Sequence, residues 1–237
     1  MPPGLQTVGV FEGSRNVSLA NSSVHIEDRL EAIHPVSFSI WKSVIAPSAF
    51  HNSDEKYNPP RCHPRTREAL LGKIMSWVRG EIDTQPLVFW LNGLVGVGKS
   101  AMGQTIAEIC EQEGLLPASF FFSRSNLTRN NRNLFVTTLA YQIALAVPHA
   151  RRCIELAFEH DPVINTQSLE TQVRKRVIEP LDIINQASDS IRASGGRLIF
   201  LVTSRSEQEI ALKLHSVPMV HGGYLNVHPR RLLRLRR

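Results

Sequence analysis

One short segment of the sequence has the residue types and spacing of a phosphate-binding loop. It reads Gly93-Leu94-Val95-Gly96-Val97-Gly98-Lys99-Ser100 and fits the pattern G-x-x-x-x-G-K-S. Glycines let successive amide groups turn toward phosphate oxygens at dihedral angles that residues with a Cβ atom resist. The lysine of such a loop contacts the terminal phosphates, and the hydroxyl after it ligates Mg²⁺. The segment therefore predicts a polyphosphate site.

The elements on either side of this loop favour a real site over an accidental glycine-rich turn. A buried strand is predicted before it, and an amphipathic helix beginning at Lys99 is predicted after it. The first amides of that helix lack partners within the helix and carry its positive dipole end, so they also favour an anion. Ser100 is the predicted metal ligand. The predicted nucleotide-contacting residues of this segment are Gly93, Gly96, Gly98, Lys99, Ser100 and Ala101.

The predicted elements around the loop alternate between strands and helices. Short apolar runs predict buried strands at Leu87–Leu91, Ser119–Phe122 and Leu198–Thr203. Helical periodicity predicts a helix capped by Thr66, and further helices after each of the first two strands. This alternation indicates an α/β fold with a mainly parallel sheet.

Composition excludes several other classes of protein. The net charge of +6 comes largely from five arginines between positions 230 and 237, so the remaining chain is close to neutral and a specific nucleic-acid partner is not indicated. The three cysteines have no metal-ligand spacing, which is typical of free thiols in a reducing compartment. No apolar run is long enough to cross a membrane. A cytoplasmic location is expected.

The sequence resembles a known family over residues 57–210. The matching segments are WLNGLVGVGKSAMGQTIAE, ASFFFSRS and LFVTTLAYQIAL. They look like the NTPase domain of fungal NACHT-type (STAND) signalling proteins, a group filed with the nephrocystin-like N-terminal NTPase domains. The resemblance implies a three-layer P-loop NTPase fold, binding of ATP or GTP with Mg²⁺, and self-association or pairing with related NACHT proteins. It also divides the chain into a Ser/Asn/Gly-rich leader (1–56), the NTPase domain (57–210) and a basic tail (211–237).

Two arginines acquire candidate roles by this resemblance. Arg205, in Val202-Thr203-Ser204-Arg205, matches the family's sensor arginine at the end of a later strand and is a predicted nucleotide contact. The resemblance aside, a solvated arginine after a strand is its more ordinary interpretation. Arg124 follows the second strand on the ligand side of such a sheet, where a surface salt bridge is an equally good interpretation.

A second acidic motif that the family requires is absent from its expected place. A working NTPase of this class needs a buried strand that ends in Asp, the Walker B strand, to position Mg²⁺ and water. Asp161, Asp182 and Asp189 each lack such a strand before them. We therefore expect an incomplete sheet whose neighbouring strands lack a hydrogen-bonding partner, and no catalytic carboxylate is assigned.

Three functional hypotheses are compatible with these observations. The first is an ATP- or GTP-binding NACHT-type signalling switch module with impaired hydrolysis. The alternative is a non-enzymatic regulatory or decoy fragment of a NACHT signalling protein. A small-molecule P-loop kinase is the weakest, because the segment Val163–Gln167 lacks the acidic substrate site and arginine-rich lid that such an enzyme uses.

Overall fold

The computed structural model describes residues 5–13, 41, 43–54, 59–81, 87–187, 197–205 and 225–227. Within them the strands are β1 (Leu5–Gly13), β2 (Val88–Gly93), β3 (Ala118–Phe121), β4 (Arg197–Arg205) and β5 (Leu225–Val227). The α-helices are α1 (Glu68–Val78), α2 (Lys99–Gln112), α3 (Arg132–Ala146), α4 (Pro148–His160), α5 (Leu169–Val173) and α6 (Glu179–Ala187), with a π-helical segment at Arg174–Ile178. No helix among these residues is long and apolar enough to cross a membrane.

The strands form one sheet in the order β3-β1-β4-β2-β5. β2 pairs in parallel with β4 and with β5, whereas β1 is antiparallel to both of its neighbours, β3 and β4. Four strands therefore run in one direction and β1 runs against them. The predicted α/β fold with a mainly parallel sheet is confirmed.

Helices cover both faces of the sheet and give it three layers. Along β4, Ile199 and Leu201 pack into a core cluster with side chains of α1, α2 and β2. Leu198 and Phe200, the alternate residues, pack into a second cluster with β3, α3 and α4. Side chains of a strand alternate between its faces, so the two clusters lie on opposite sides of the sheet.

The strand β1 occupies the gap that the sequence predicts in the sheet. Its residues Thr7–Val10 pair with β3 and Leu5–Gly13 pair with β4, so both neighbours have a partner on that side. The expectation that these strands would be left without one is wrong. Unpaired backbone groups inside a fold are costly, and here a segment of the predicted leader satisfies them in the reverse direction. The Walker B strand itself is not present in the described sheet.

A second part of the predicted leader packs into the core. Trp41 is 3% exposed, and its ring lies 4.1 Å from that of Phe158 and 5.5 Å from that of Tyr141, centroid to centroid. Ala46 donates its backbone N–H to Thr138 Oγ1 on α3 at 2.9 Å. In the predicted tail, β5 pairs with β2. Segments assigned to the leader and the tail thus contribute directly to the sheet and the core of the domain.

Replacing Trp41 by alanine is expected to destabilise the domain by about 3–5 kcal/mol, the usual range for removing a large buried aromatic side chain. Leu127→Ala is the control, because Leu127 is 85% exposed and surface substitutions usually change stability by about 0.5 kcal/mol or less. Urea denaturation of the full chain measures both. Equal stability of the two variants would contradict the packing of the leader on α3 and α4.

Candidate phosphate-binding site

The predicted phosphate loop lies between β2, which ends at Gly93, and α2, which begins at Lys99. Gly96 and Gly98 have φ angles of +80° and +81°, in the left-handed region that favours glycine. Gly98 is also the N-cap of α2 and offers no side-chain cap. The first amides of a helix have no intrahelical acceptor. The loop therefore presents the strand-turn-helix geometry that suits an anion.

The lysine of the loop is folded back onto its own backbone. Lys99 is 3% exposed, and its Nζ donates hydrogen bonds to the carbonyl oxygens of Gly93 at 2.9 Å and Leu94 at 2.7 Å. Burial lowers the pKa of Lys99, and the nearby positive charges of Arg205 and Arg67 lower it further. The ammonium group is thus held by neutral oxygens beside two other cations.

Arg67 is a site residue that sequence reasoning missed. It has a φ of +61° immediately before α1, and its two terminal nitrogens donate to the backbone oxygens of Gly98, at 3.2 Å, and Val97. The predicted cap, Thr66, does not cap α1, because the N-cap position is Arg67 and no side chain caps the helix. The Thr66 hydroxyl instead donates to the oxygen of His63 at 2.5 Å. A left-handed arginine just before a helix has no simple sequence pattern. Only the packing of α1 beside the loop brings its guanidinium to this position.

The parallel pairing of β4 with β2 places Arg205 level with Gly93 at the carboxyl edge of the sheet. This position agrees with the influence of Arg205 on the pKa of Lys99. Ser204, the preceding residue, is fully buried and accepts a hydrogen bond from Trp90 Nε1 at 2.7 Å. The end of β4 is therefore fixed to β2, and the structure brings the predicted sensor arginine to the loop.

The other predicted candidates are not brought to the loop. Arg124 is exposed and follows β3, which is three strand positions from β2, about 14 Å across a sheet. Asp161 lies 3.4 Å from Lys175 Nζ in an ion pair among the helices, and Asp182 is exposed on α6. Asp189 lies outside the described residues. Neither Asp161 nor Asp182 is in a position that the structure connects with Ser100.

The energetic importance of the contact between Arg67 and the loop can be tested by substituting Gly98. A Cβ atom on Gly98 would lie 2.8 Å from Arg67 Nη1, whereas one on Gly114, where φ is +69°, would meet nothing within 4 Å. We expect Gly98→Ala to be more destabilising than Gly114→Ala by about 1–3 kcal/mol, because the guanidinium must leave its two carbonyl acceptors.

Thermal and urea unfolding of both glycine variants, each with and without Arg67→Ala, measures this difference. The extra cost at Gly98 should vanish in the Arg67→Ala background, since the contact is then already lost. Gly72→Ala provides a further control, because Gly72 lies within α1 with nothing within 4 Å of the added Cβ. It should be neutral or stabilising by about 0.5–1 kcal/mol. If Gly98→Ala remained more destabilising than Gly114→Ala in the Arg67→Ala background, the contact with Arg67 could not be the cause of the difference.

The sequence was compared with models of known protein families and with known proteins. The sequence model of the family described as Nephrocystin 3, N-terminal, matches residues 66–192, a little more than half of the chain. The matched region includes the phosphate loop and Arg67, and it ends before Arg205. Comparisons with curated proteins and with solved structures give no significant match. The chain therefore belongs to the nephrocystin 3 N-terminal family.

Proposed function

We propose that the chain is a nucleotide-binding switch module of the NACHT type, which holds ATP or GTP in the loop Gly93–Ser100 and hydrolyses it poorly. The observation that carries the proposal is the meeting of Lys99, Arg67 and Arg205 at the N-terminus of α2. Within the described part of the chain, no carboxylate forms an ion pair with any of the three. A site whose cations have no described carboxylate partner, at the N-terminus of a helix, favours a multiply charged anion.

The contacts indicate how each group would act on a polyphosphate. Lys99 now donates to two carbonyl oxygens, and a phosphate can replace them because an ionised acceptor forms a stronger hydrogen bond. Arg67 holds the carbonyl oxygens of Val97 and Gly98 on one side of the loop. A trans peptide directs the following N–H to the other side, so the amides of Gly98 and Lys99 are held away from Arg67. Arg67 is thus a positioning residue.

Binding at this position offers a way to transmit a signal. A bound anion would accept hydrogen bonds from Lys99 in place of the carbonyl oxygens. It would also be attracted by the positive charge of Arg205, the last residue of β4. The loop therefore has a closed arrangement, seen here, and a second arrangement that a ligand stabilises. Self-association or pairing with related NACHT proteins in the cytoplasm is the output that we propose for this switch.

A non-enzymatic regulatory or decoy fragment is the alternative function. The observation that favours it is β1, since a leader strand fills the sheet position between β3 and β4. Such a fragment would pair with full-length relatives and would not need to hold nucleotide. The two functions differ in whether the purified chain binds a nucleotide.

Titration of the full chain with a fluorescent ATP analogue, and with the GTP counterpart, tests the proposal. Lys99→Ala should weaken binding by about 2–5 kcal/mol, the range for removing one partner of a buried charge pair. Lys73→Ala is the matched control, because Lys73 is exposed on α1. Circular dichroism verifies that both variants are folded. Equal affinity of wild type and Lys99→Ala would exclude the loop as the binding site, and absence of binding by folded wild type would favour the decoy function.

A further inference from the structure

The residues that the structure describes around Ser100 do not supply the oxygen ligands that a magnesium ion needs. A magnesium-dependent phosphate loop supplies one oxygen from its Ser or Thr and a second from an acidic residue on a nearby strand. Ser100 can supply the first. Among the described residues, no cluster of three or more His, Cys, Asp or Glu side chains could hold a metal ion. The second ligand must therefore be sought at the strand ends.

Among the described residues, none of the strands that end at the carboxyl edge of the sheet ends in an acidic residue. β2 ends there at Gly93, β3 at Phe121 and β4 at Arg205. The antiparallel strand β1 reaches the same edge with its first residues, because Leu5 is in register with Ser204. Its acidic residue, Glu12, is in register with Leu198 at the opposite end of β4. The reversed direction of β1 thus places its carboxylate-bearing residue away from the loop.

The side chains around the loop, at the carboxyl edge of the sheet, are positively charged, as a metal ion is. Lys99 and Arg67 contact the loop backbone, and Arg205 lies level with Gly93. Like charges at short range repel one another, and a divalent cation would add to that repulsion. A polyphosphate without bound metal carries more negative charge than its magnesium complex, so it gains more from the cations that can face it, Lys99 and Arg205.

We propose that the site binds nucleoside triphosphate in its metal-free form, with Lys99 and Arg205 supplying the positive charge that Mg²⁺ supplies in other phosphate loops. This inference rests on the proposed function, because it concerns the ligand of the same loop. It names the metal-free polyphosphate as the chemical species that is recognised. Recognition of this kind requires only the polyphosphate part of the nucleotide, so inorganic tripolyphosphate should compete with the nucleotide.

The experiment is a titration of the full chain with the fluorescent ATP analogue in EDTA and again in excess Mg²⁺, with tripolyphosphate as competitor in both. The dissociation constant in EDTA should be equal to or lower than that in Mg²⁺. A dissociation constant that Mg²⁺ lowers by more than about threefold would overturn the inference while leaving the proposed function intact. Failure of folded protein to bind in either condition would refute the proposed function and the inference together.

A variant that removes the charge of Arg205 distinguishes preferential binding of the metal-free nucleotide from weak binding of the nucleotide in general. Arg205→Gln should raise the dissociation constant more in EDTA than in Mg²⁺, because the metal-free ligand depends more on protein cations. Arg124→Gln is the matched control, since Arg124 is exposed and follows β3, three strand positions from β2, and it should have no effect in either condition. Thermal unfolding verifies the fold of both variants. An equal loss for Arg205→Gln in the two conditions would contradict a metal-substituting role.

Discussion

Removal of residues 1–13 is expected to abolish cooperative folding of the domain. The strand β1 lies inside the sheet and pairs with β3 on one side and β4 on the other. Its loss would leave backbone groups of both neighbours unpaired. Each buried hydrogen bond contributes about 0.5–1.5 kcal/mol, and leaving a buried group unsatisfied costs more. Domain stabilities are only about 5–15 kcal/mol, so the loss of a central strand should exceed what the fold can sustain.

Thermal unfolding followed by circular dichroism measures this effect. A milder variant, Val8→Pro, should also be destabilising by about 3 kcal/mol or more, because Val8 lies between Phe120 and Val202 in the sheet and proline cannot donate to a ladder. The control is deletion of residues 229–237, a basic segment that the sequence predicts to lie outside the core. That deletion should shift the melting temperature by no more than a few degrees. Unchanged melting after removal of β1 would refute its place in the sheet.

Nucleotide hydrolysis by this chain is expected to be slower than that of a nephrocystin-like N-terminal domain with an acidic strand by at least about 100-fold. Phosphoryl transfer depends almost entirely on positioning and charge stabilisation, to which an anchored metal ion contributes several kcal/mol. Each 1.36 kcal/mol corresponds to about tenfold in rate. Ser100 offers one metal ligand, and the described strand ends near it offer no carboxylate.

Phosphate release under single-turnover conditions is the deciding measurement. The wild-type rate should equal that of Lys99→Ala, because neither protein aligns metal and water. A chain in which an apolar strand ending in Asp is restored before Phe200 serves as the positive comparison. If wild type matched the restored chain, and Lys99→Ala abolished that activity, another carboxylate would have to anchor the metal. Asp182 and Asp189 would then be the residues to replace first.

The sequence predicted the local elements of the site correctly. The glycine-rich loop, the strand before it and the helix after it are each specified by residues close together in the chain, and they lie where the pattern indicates. The start of α2 at Lys99 follows from the same local signals. Arg205 was assigned by resemblance, and its position beside Gly93 then follows from parallel pairing. Whether these residues bind nucleotide remains a prediction.

Other features depended on contacts between distant parts of the chain. The segment Leu5–Gly13 contains strand-forming residues such as Val8 and Val10. Nothing in it specifies which strands it will pair with, or that it will run against their direction. Trp41 had no helical or strand pattern to assign it to the core, and the conformation of Arg67 follows from its contact with a loop 30 residues later in the sequence. Each is decided by the burial of surfaces that only the folded domain creates.

The sequence alone therefore determined an α/β domain with a predicted phosphate-binding loop and without a recognisable acidic strand, because those features depend on short-range spacing and hydrophobic pattern. Tertiary structure decided what stands in place of that strand and which charges surround the loop. The physical reason is that unpaired strand edges must find hydrogen-bonding partners wherever the chain can supply them. In this protein β1 supplies them, and its reversed direction leaves Lys99, Arg67 and Arg205 without a described acidic partner at the site.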